Sequence, residues 1–261
     1  MAKVDYGIDA PGVIRNLALC GTALLIVRAF TPVIPIGPVK IIHFEWTAFW
    51  LLATAALMLL YSKFGKMRHR DRMIRMATLK GNEEVLDVGT GRGLLLVAAA
   101  KELTTGHAVG IDIWKAEDLS ENKRERTEQN LAAEGVVDRC ELIDAPAEKM
   151  TFLDDRFDVV VSNMCLHNIP KKEGRDRACL EIVRVLKPGG VAVISDYKNT
   201  GNYARVFRQA GMVVSRKFYI LDTFFPVSIV FAEKADLMVR KSGSSPGNLL
   251  LRCRESARRC T

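Results

Sequence analysis

The sequence predicts an α/β protein: a doubly wound, mostly parallel sheet of seven strands with helices on both faces, preceded by two apolar helices. Two observations predict the sheet. Short runs rich in β-branched residues alternate with helical stretches along residues 63–235, and the runs DVVV and VAVI are apolar throughout, as in strands that helices cover on both faces. A third observation, two apolar segments within residues 1–62, predicts the two helices.

The strands are predicted in chain order as EVLDV, AVGIDI, CELI, FDVVVSN and VAVISDY, followed by VVSRKFYI and VSIVFAEK. Between them AAAKEL, RERTEQNLAAEG and RDRACLEIVRVL have helical patterns, and Lys187, Pro188 and Gly189 would end the last helix. A Phe-rich link that contains proline joins the final two strands, so we expect them to pair antiparallel at an edge. The Ser, Gly and Arg content of residues 236–261 predicts a basic, disordered tail.

The two apolar segments are interpreted as a membrane-attached hairpin over residues 14–61. The second, from Ile41 to Tyr61, has about the length that a bilayer core requires of a helix, and the basic sequence KFGKMRHRDRMIR follows it. This order predicts a membrane protein with its domain on the cytoplasmic side. The first segment contains Arg28 and ends among prolines, so it could enter one leaflet without crossing. Burial of both segments in a soluble protein, or at an oligomer contact, stays an alternative.

Charge and cysteine content narrow the other classes of function. The net charge of +8 comes largely from the sequence after the second apolar segment and from the tail, a placement that favours a membrane over a nucleic acid as partner. The six cysteines are scattered, with neither a CxxC pair nor a histidine at metal-ligand spacing. We therefore expect no metal site and no disulfide framework.

The stretch VLDVGTGRG, Val85 to Gly93, ends a predicted strand with a glycine at every second position. Glycine lets the backbone approach a ligand closely, because no side chain occupies the ligand's space. A dinucleotide-binding turn would have its third glycine one residue later, where this chain has Leu94. The spacing DxGxGxG instead resembles the first motif of class I S-adenosylmethionine-dependent methyltransferases, and the resemblance extends from about residue 73 to residue 233.

Three later segments resemble further motifs of the small-molecule branch of that family, in the same order: GIDIW, PAEKMTFLDDRFDVVVSNMCLHNIP and LKPGGVAVISDY. The resemblance implies a Rossmann-like fold and S-adenosylmethionine as cofactor. It also implies that Asp112 accepts both ribose hydroxyls, which the two oxygens of a carboxylate can do. The cofactor residues implied in this way are Asp87, Gly89, Thr90, Gly91, Gly93, Asp112, Ile113, Ala147 and Asn163.

This chain departs from the family's pattern at the segment that would bind the adenine ring. The family usually has an acidic residue directly before its Ala-Glu pattern, and this chain has Pro146 there. Either Asp144, two residues earlier, or the backbone around Ala147 and Glu148 would then hold the ring.

Methyl transfer is an in-line displacement, so the protein needs a base only where the acceptor must lose a proton. Open sheets of this kind hold their ligands at the carboxyl ends of the strands, which makes His167, Asp196 and Tyr197 the candidate catalytic residues. An imidazole is a suitable base near neutral pH. A structural role near the cofactor is the favoured alternative for His167, and Asp196 and Tyr197 could likewise only line the pocket.

The predicted acceptor is small and lipophilic. Family members that methylate nucleobase amines or side-chain amides typically carry Asn, two prolines and an aromatic residue after the fourth strand, where this chain has Asn163, Met164 and Cys165. The helix NYARVFRQAG follows ISDY too closely for an inserted lid, so we expect a quinone-like ring, an isoprenoid or a lipid head group to enter from a membrane. A membrane-tethered protein methyltransferase and a non-catalytic cofactor-binding module are the alternatives.

Overall fold

The computed structural model describes residues 4–115, 119–221 and 223–236, and the predicted tail lies outside them apart from Asp236. The α-helices are α1 (Pro11–Phe30), α2 (Glu45–Leu60), α3 (Lys66–Ala77), α4 (Leu94–Glu102), α5 (Arg124–Ala133), α6 (Lys172–Val185) and α7 (Thr200–Gln209). The strands are β1 (Ile34–Ile36), β2 (Val39–Ile41), β3 (Glu84–Val88), β4 (His107–Asp112), β5 (Cys140–Asp144), β6 (Phe157–Asn163), β7 (Leu186–Asp196), β8 (Val213–Tyr219) and β9 (Val227–Glu233).

The predicted α/β fold is confirmed. Seven strands form one sheet in the order β5-β4-β3-β6-β7-β9-β8, and helices pack on both of its faces. The first five strands of the sheet run parallel, and helices α4, α5 and α6 connect β3 to β4, β4 to β5 and β6 to β7. Strand β9 is antiparallel to both of its neighbours, β7 and β8, so the predicted antiparallel pair is present and β8 forms the edge.

Small residues form the contact between α1 and α2. A Cβ at Gly21 of α1 would lie 2.8 Å from the Leu52 side chain and 3.1 Å from the Ala48 carbonyl oxygen, so glycine lets the two helices approach closely. Ala48 and Ala55 are the buried residues of α2, whereas Trp46, Phe49 and Trp50 are exposed. The strands β1 and β2 pair antiparallel at the turn of this hairpin, which was not predicted.

The hairpin is joined to the sheet by a continuous helix. A single π-helical turn, Tyr61–Gly65, connects α2 to α3, so the predicted domain boundary at residue 62 falls inside one helical run. The buried side chains of α3, among them Met73 and Met76, pack against α4 and the sheet. Both helical stretches, Pro11–Phe30 and Glu45–Ala77, are long and apolar enough to cross a membrane, a property that core helices and signal sequences share.

The basic sequence after the hairpin does not act as one exposed cluster. Lys66 and Arg72 are buried, whereas Lys63, Arg68 and Arg75 are exposed. The cations divide in this way because α3 is amphipathic, with one face packed on the sheet. Part of the positive charge near the hairpin therefore faces solvent and part is used inside the protein.

Candidate functional site

A cavity of about 570 Å³ lies at the carboxyl ends of β3, β4, β6 and β7. Its volume is within the range of small-molecule sites. Residues from the sheet line one part of it, including Gly89, Gly91, Asp112 and Asn163, and residues from the hairpin line another. The topology therefore brings the glycine turn and the apolar hairpin to one site.

The glycine turn is held tightly beneath the cavity. Gly89 has a φ of +73°, and a Cβ at this position would lie 2.1 Å from Cys165 Sγ. The backbone N–H groups of Gly89 and Thr90 both donate to the Ile111 carbonyl oxygen, at 2.8 and 3.0 Å. A side chain at residue 89 would meet both backbone strain and a steric clash.

Asp87 supports this turn from below. Its Oδ2 accepts hydrogen bonds from Thr90 Oγ1 at 2.9 Å and from the Leu96 N–H at 3.0 Å. Burial raises the pKa of the Asp87 carboxyl to about 7, against the lowering effect of these hydrogen bonds. Asp87, Thr90 and Gly93 do not line the cavity, in contrast to the other six predicted cofactor residues.

Asp112 ends β4 with its carboxylate at the cavity. Oδ2 accepts a hydrogen bond from the Gly91 N–H at 2.8 Å, and Oδ1 accepts one from the Trp114 N–H at 2.6 Å. A carboxylate has about four acceptor positions, so two remain for a ligand's hydroxyls. Gly91 and Asp112 are thereby fixed together, which suits a cradle for a ribose.

Asp144 is the register partner of Asp112 on β5, but it does not line the cavity. Its carboxylate accepts hydrogen bonds from Trp114 Nε1 and Arg124, at 2.8 and 2.9 Å. Ala147 and Glu148 do line the cavity. Of the two options for the adenine end, only the residues around Ala147 and Glu148 line the cavity.

His167 and Asp196 meet at the carboxyl ends of β6 and β7. His167 Nδ1 lies 2.8 Å from Asp196 Oδ1, although the ring N–H is not aligned with the carboxylate, so the contact is electrostatic rather than a formed hydrogen bond. The buried carboxylate also accepts hydrogen bonds from the backbone N–H groups of His167 and Tyr197 and from the Tyr203 hydroxyl. His167 and Tyr197 line the cavity, whereas Asp196 lies behind them.

The hairpin supplies the apolar wall, and none of its cavity residues was predicted. They are Val13 and Leu17 of α1, Thr54 and Met58 of α2, and Tyr61 of the π turn, with Phe225 beside them. The rings of His167, Tyr197, Phe225 and Tyr61 follow one another with centroid separations of 4.7, 5.6 and 6.3 Å. One signal was present in the sequence: Thr54 and Tyr61 are seven residues apart in an otherwise apolar run, which places them on one helix face.

The N-terminal residues 4–10 form a strap beside the glycine turn. Asp5 and Tyr6 contact α5 and its C-terminal end, where the Asp5 N–H donates to Asn130 Oδ1 at 3.0 Å and the Tyr6 hydroxyl to Glu134 at 3.0 Å. Asp9 and Ala10 line the cavity. The strap was not predicted, because its partners lie more than fifty residues away in sequence.

Comparison with known proteins agrees with this geometry. Residues 86–194 match the family model described as a methyltransferase domain. A demethylmenaquinone methyltransferase of Lactiplantibacillus plantarum is 35% identical over 127 residues, which are 48% of this chain and 50% of that protein. The sterol 4-C-methyltransferase strm-1 of Caenorhabditis elegans is 33% identical over 125 residues, 48% of this chain and 34% of that protein. The match thus spans half or less of the length of these two relatives.

A solved structure supports the fold. A SAM-dependent methyltransferase from Aquifex aeolicus superposes with a TM-score of 0.51 at 18% sequence identity, covering 63% of this chain and 88% of that one. The predicted motifs lie in order around one cavity, and the family model spans the chain from the glycine turn to β7. The chain therefore contains a domain of the class I S-adenosylmethionine-dependent methyltransferase family, whose cofactor is S-adenosylmethionine.

Proposed function

We propose that the protein transfers a methyl group from S-adenosylmethionine to a small, lipophilic acceptor that it takes from a membrane. One observation carries the proposal. The cavity that reaches the glycine turn and Asp112 is also lined by Val13, Leu17 and Met58 of the apolar hairpin. Two relatives, named for a sterol and for demethylmenaquinone, support a lipophilic class of acceptor.

The residues at the sheet end of the cavity fit the cofactor. Gly89 and Gly91 bring backbone without a side chain to the cavity, and Asp112 offers free acceptor positions to the ribose. The backbone around Ala147 and Glu148 would face the adenine. Bound there, S-adenosylmethionine supplies a methyl group on a positively charged sulfur, which is activated for displacement.

His167 is the residue best placed to take a proton from the acceptor. The Asp196 carboxylate beside Nδ1 favours the tautomer that carries its proton on that nitrogen, which leaves Nε2 as the basic atom. Asp196 is itself fixed by the Tyr203 hydroxyl and by two backbone N–H groups. His167 is then a general base for acceptors that lose a proton, and Asp196 positions it.

The hairpin replaces the lid that the domain lacks. Only three residues separate β7 from α7, which leaves no room for an insertion there. Instead Val13, Leu17 and Met58 cover the cavity with apolar side chains, which exclude water from the reacting groups. An apolar wall also selects for acceptors with apolar surface.

The composition of the hairpin supports insertion into a bilayer. A hairpin in water would bury its large side chains, but this one buries Gly21, Ala48 and Ala55 and exposes Trp46 and Trp50, at 63% and 65%. Contacts between small residues are typical of helices that pack within lipid. Exposed aromatic residues near one end suit the membrane interface.

The charges near the hairpin agree with that orientation. Lys63, Arg68 and Arg75 are exposed on the run that follows α2, at the end of the hairpin nearest the sheet. Cations at this position attract anionic lipid head groups. The same end of the hairpin contributes Met58 and Tyr61 to the cavity, so an acceptor dissolved in lipid would enter the site from the bilayer.

The first experiment is a calorimetric titration of the full-length protein, in detergent micelles, with S-adenosylmethionine. We expect saturable binding that Asp112→Asn weakens. Asp144→Asn is the matched control, because Asp144 is the register partner of Asp112 and does not line the cavity. Absence of binding by a folded protein would overturn the assignment of function.

The second experiment identifies the class of acceptor. We expect S-adenosylhomocysteine to form when a membrane lipid extract is added. The triple variant Trp46→Ser, Phe49→Ser, Trp50→Ser should lower this rate while retaining cofactor binding, because these residues are exposed and do not line the cavity. Product formation that requires added protein instead of lipid would identify a protein methyltransferase, and binding without product would identify a non-catalytic module.

A further inference from the structure

Among the described residues that line the cavity, four carry a buried polar atom without a hydrogen-bond partner: Tyr61, Asn122, Asn163 and His167. Two of these, Tyr61 and Asn163, are near neighbours. Tyr61, on the hairpin side, is 3% exposed, and its hydroxyl forms no hydrogen bond with any residue that the structure describes. The Oδ1 of Asn163, at the end of β6, is buried and equally unpartnered within the described chain. The two side chains are close enough to interact, but not in hydrogen-bonding geometry. Leaving a buried polar group unpaired costs about 1–3 kcal/mol, so native proteins rarely do so without a function.

The π-helical turn fixes the position of Tyr61. Its carbonyl oxygen accepts a hydrogen bond from the Lys66 N–H, five residues along the chain, which is the bond that defines a π turn. At the end of the turn, a Cβ at Gly65 would lie 2.5 Å from the Thr223 carbonyl oxygen, so the turn packs directly on the segment that carries Phe225. Tyr61 is therefore held beside the Phe225 ring, and π turns are frequent at functional sites.

Tyr61 lies on the hairpin side of the cavity. Its ring is beside that of Phe225, and Met58 of the same helical run and Val13 of α1 also line the cavity. A tyrosine hydroxyl can donate one hydrogen bond, and an amide oxygen can accept one. A ligand hydroxyl is the simple group that can accept from Tyr61 and donate to Asn163 at once.

From this geometry we infer that Tyr61 and Asn163 form a polar subsite for a hydroxyl group on the acceptor. The inference rests on the proposed function and narrows the acceptor to an amphiphile: a phenol or alcohol whose apolar remainder lies against Val13, Leu17 and Met58. A ketone lacks the donor for Asn163, and a methyl ether lacks it as well. Tyr61 is then a specificity-determining residue that belongs to the hairpin and not to the methyltransferase sheet.

The test compares two probes, a long-chain 4-alkylphenol and its methyl ether. Their affinities are measured by calorimetry on the full-length protein in detergent micelles with S-adenosylhomocysteine present. We expect the phenol to bind about tenfold more tightly than the ether, because the ether leaves Asn163 unpaired. In Tyr61→Phe both probes should bind several-fold more weakly, because each loses the hydrogen bond from the Tyr61 hydroxyl, while the affinity for S-adenosylmethionine and the melting temperature stay at or above the original values.

The matched control is Tyr6→Phe, which removes a hydroxyl bonded to Glu134, outside the cavity, and should leave the affinities for both probes unchanged. Equal affinity of the unaltered protein for phenol and ether would overturn the subsite and leave the proposed function intact. So would a loss of S-adenosylmethionine affinity in Tyr61→Phe, because Tyr61 would then contact the cofactor. Failure of the unaltered, folded protein to bind S-adenosylmethionine would overturn the proposed function and this subsite with it.

Discussion

Arg28 of α1 and Glu45 of α2 form an ion pair across the turn of the hairpin, with Arg28 Nε 2.9 Å from Glu45 Oε2. The first apolar segment contains a charged residue, Arg28, and this is its least favourable feature for membrane insertion. The ion pair gives Arg28 a partner of opposite charge. An unpaired Arg or Asp within a bilayer costs about 2.5–3.5 kcal/mol on insertion scales. Since the two charges neutralise each other, insertion of the hairpin into a bilayer would not require burial of an isolated charge.

The first prediction follows from that pair. Glu45→Leu should weaken binding of the protein to phospholipid vesicles, because Arg28 is left without its partner, and the double variant Arg28→Leu, Glu45→Leu should bind at least as well as the original protein. Flotation with vesicles measures both. A double variant that binds no better than Glu45→Leu would show that the ion pair does not enter the lipid.

Much of the sheet and of the cofactor end could be predicted because their signals are local in sequence. The glycine turn and Asp112 each follow directly on an apolar strand, so strand order alone brings them together. Tyr61 could not be placed in this way. Its position depends on a π turn and on the contact of Gly65 with Thr223, more than 150 residues away.

The basic segment shows the same limit of sequence reasoning. Lys66 and Arg72 were counted with the membrane-facing cations, but both are buried. The side chain of Lys66 donates to backbone carbonyls of the N-terminal strap, and the guanidinium of Arg72 lies 4.2 Å from the centre of the Tyr219 ring. Charge counts along a sequence do not distinguish a solvated cation from one that holds two distant segments together.

The second prediction concerns the base. His167→Ala should lower kcat with membrane lipid extract roughly 10²- to 10⁴-fold, if the acceptor loses a proton, without weakening S-adenosylmethionine binding. Asp196→Asn should lower kcat less and shift the pH profile of kcat/KM, because it removes the charge beside Nδ1. His107→Ala, at the opposite end of the sheet, is the control. An unchanged kcat in His167→Ala would assign His167 a structural role.

The third prediction is a pH dependence of stability that originates in Asp87. Its pKa is about 7 in the folded protein and near 3.8 when unfolded, so between these values the folded state binds the extra proton. The contribution of Asp87 to stability is therefore fully present below about pH 4 and is lost as the pH rises towards 7. Asp87→Asn keeps an acceptor for Thr90 and Leu96 but cannot ionise.

Denaturant titrations from pH 4 to pH 8 measure this difference. The free energy of unfolding of the original protein should fall relative to that of Asp87→Asn by up to about 1.4 kcal/mol per pH unit across the window. Taking the difference between the two proteins removes the titration of every other group. A difference that is flat with pH would mean that Asp87 stays ionised in the fold.

The fourth prediction concerns Lys66, whose buried ammonium group donates to the Tyr6 and Gly7 carbonyl oxygens and lies 3.3 Å from Asp9 Oδ2. Lys66→Met keeps the aliphatic stem but leaves these acceptors unpaired, so the strap should loosen from the cavity that Asp9 lines. Hydrogen exchange of residues 4–10 should accelerate, and S-adenosylmethionine should dissociate faster, with a Kd raised about tenfold. Lys63→Met, at an exposed position of the same helical run, should change neither. If hydrogen exchange accelerates while the affinity for S-adenosylmethionine is unchanged, the strap stabilises the fold but does not retain the cofactor.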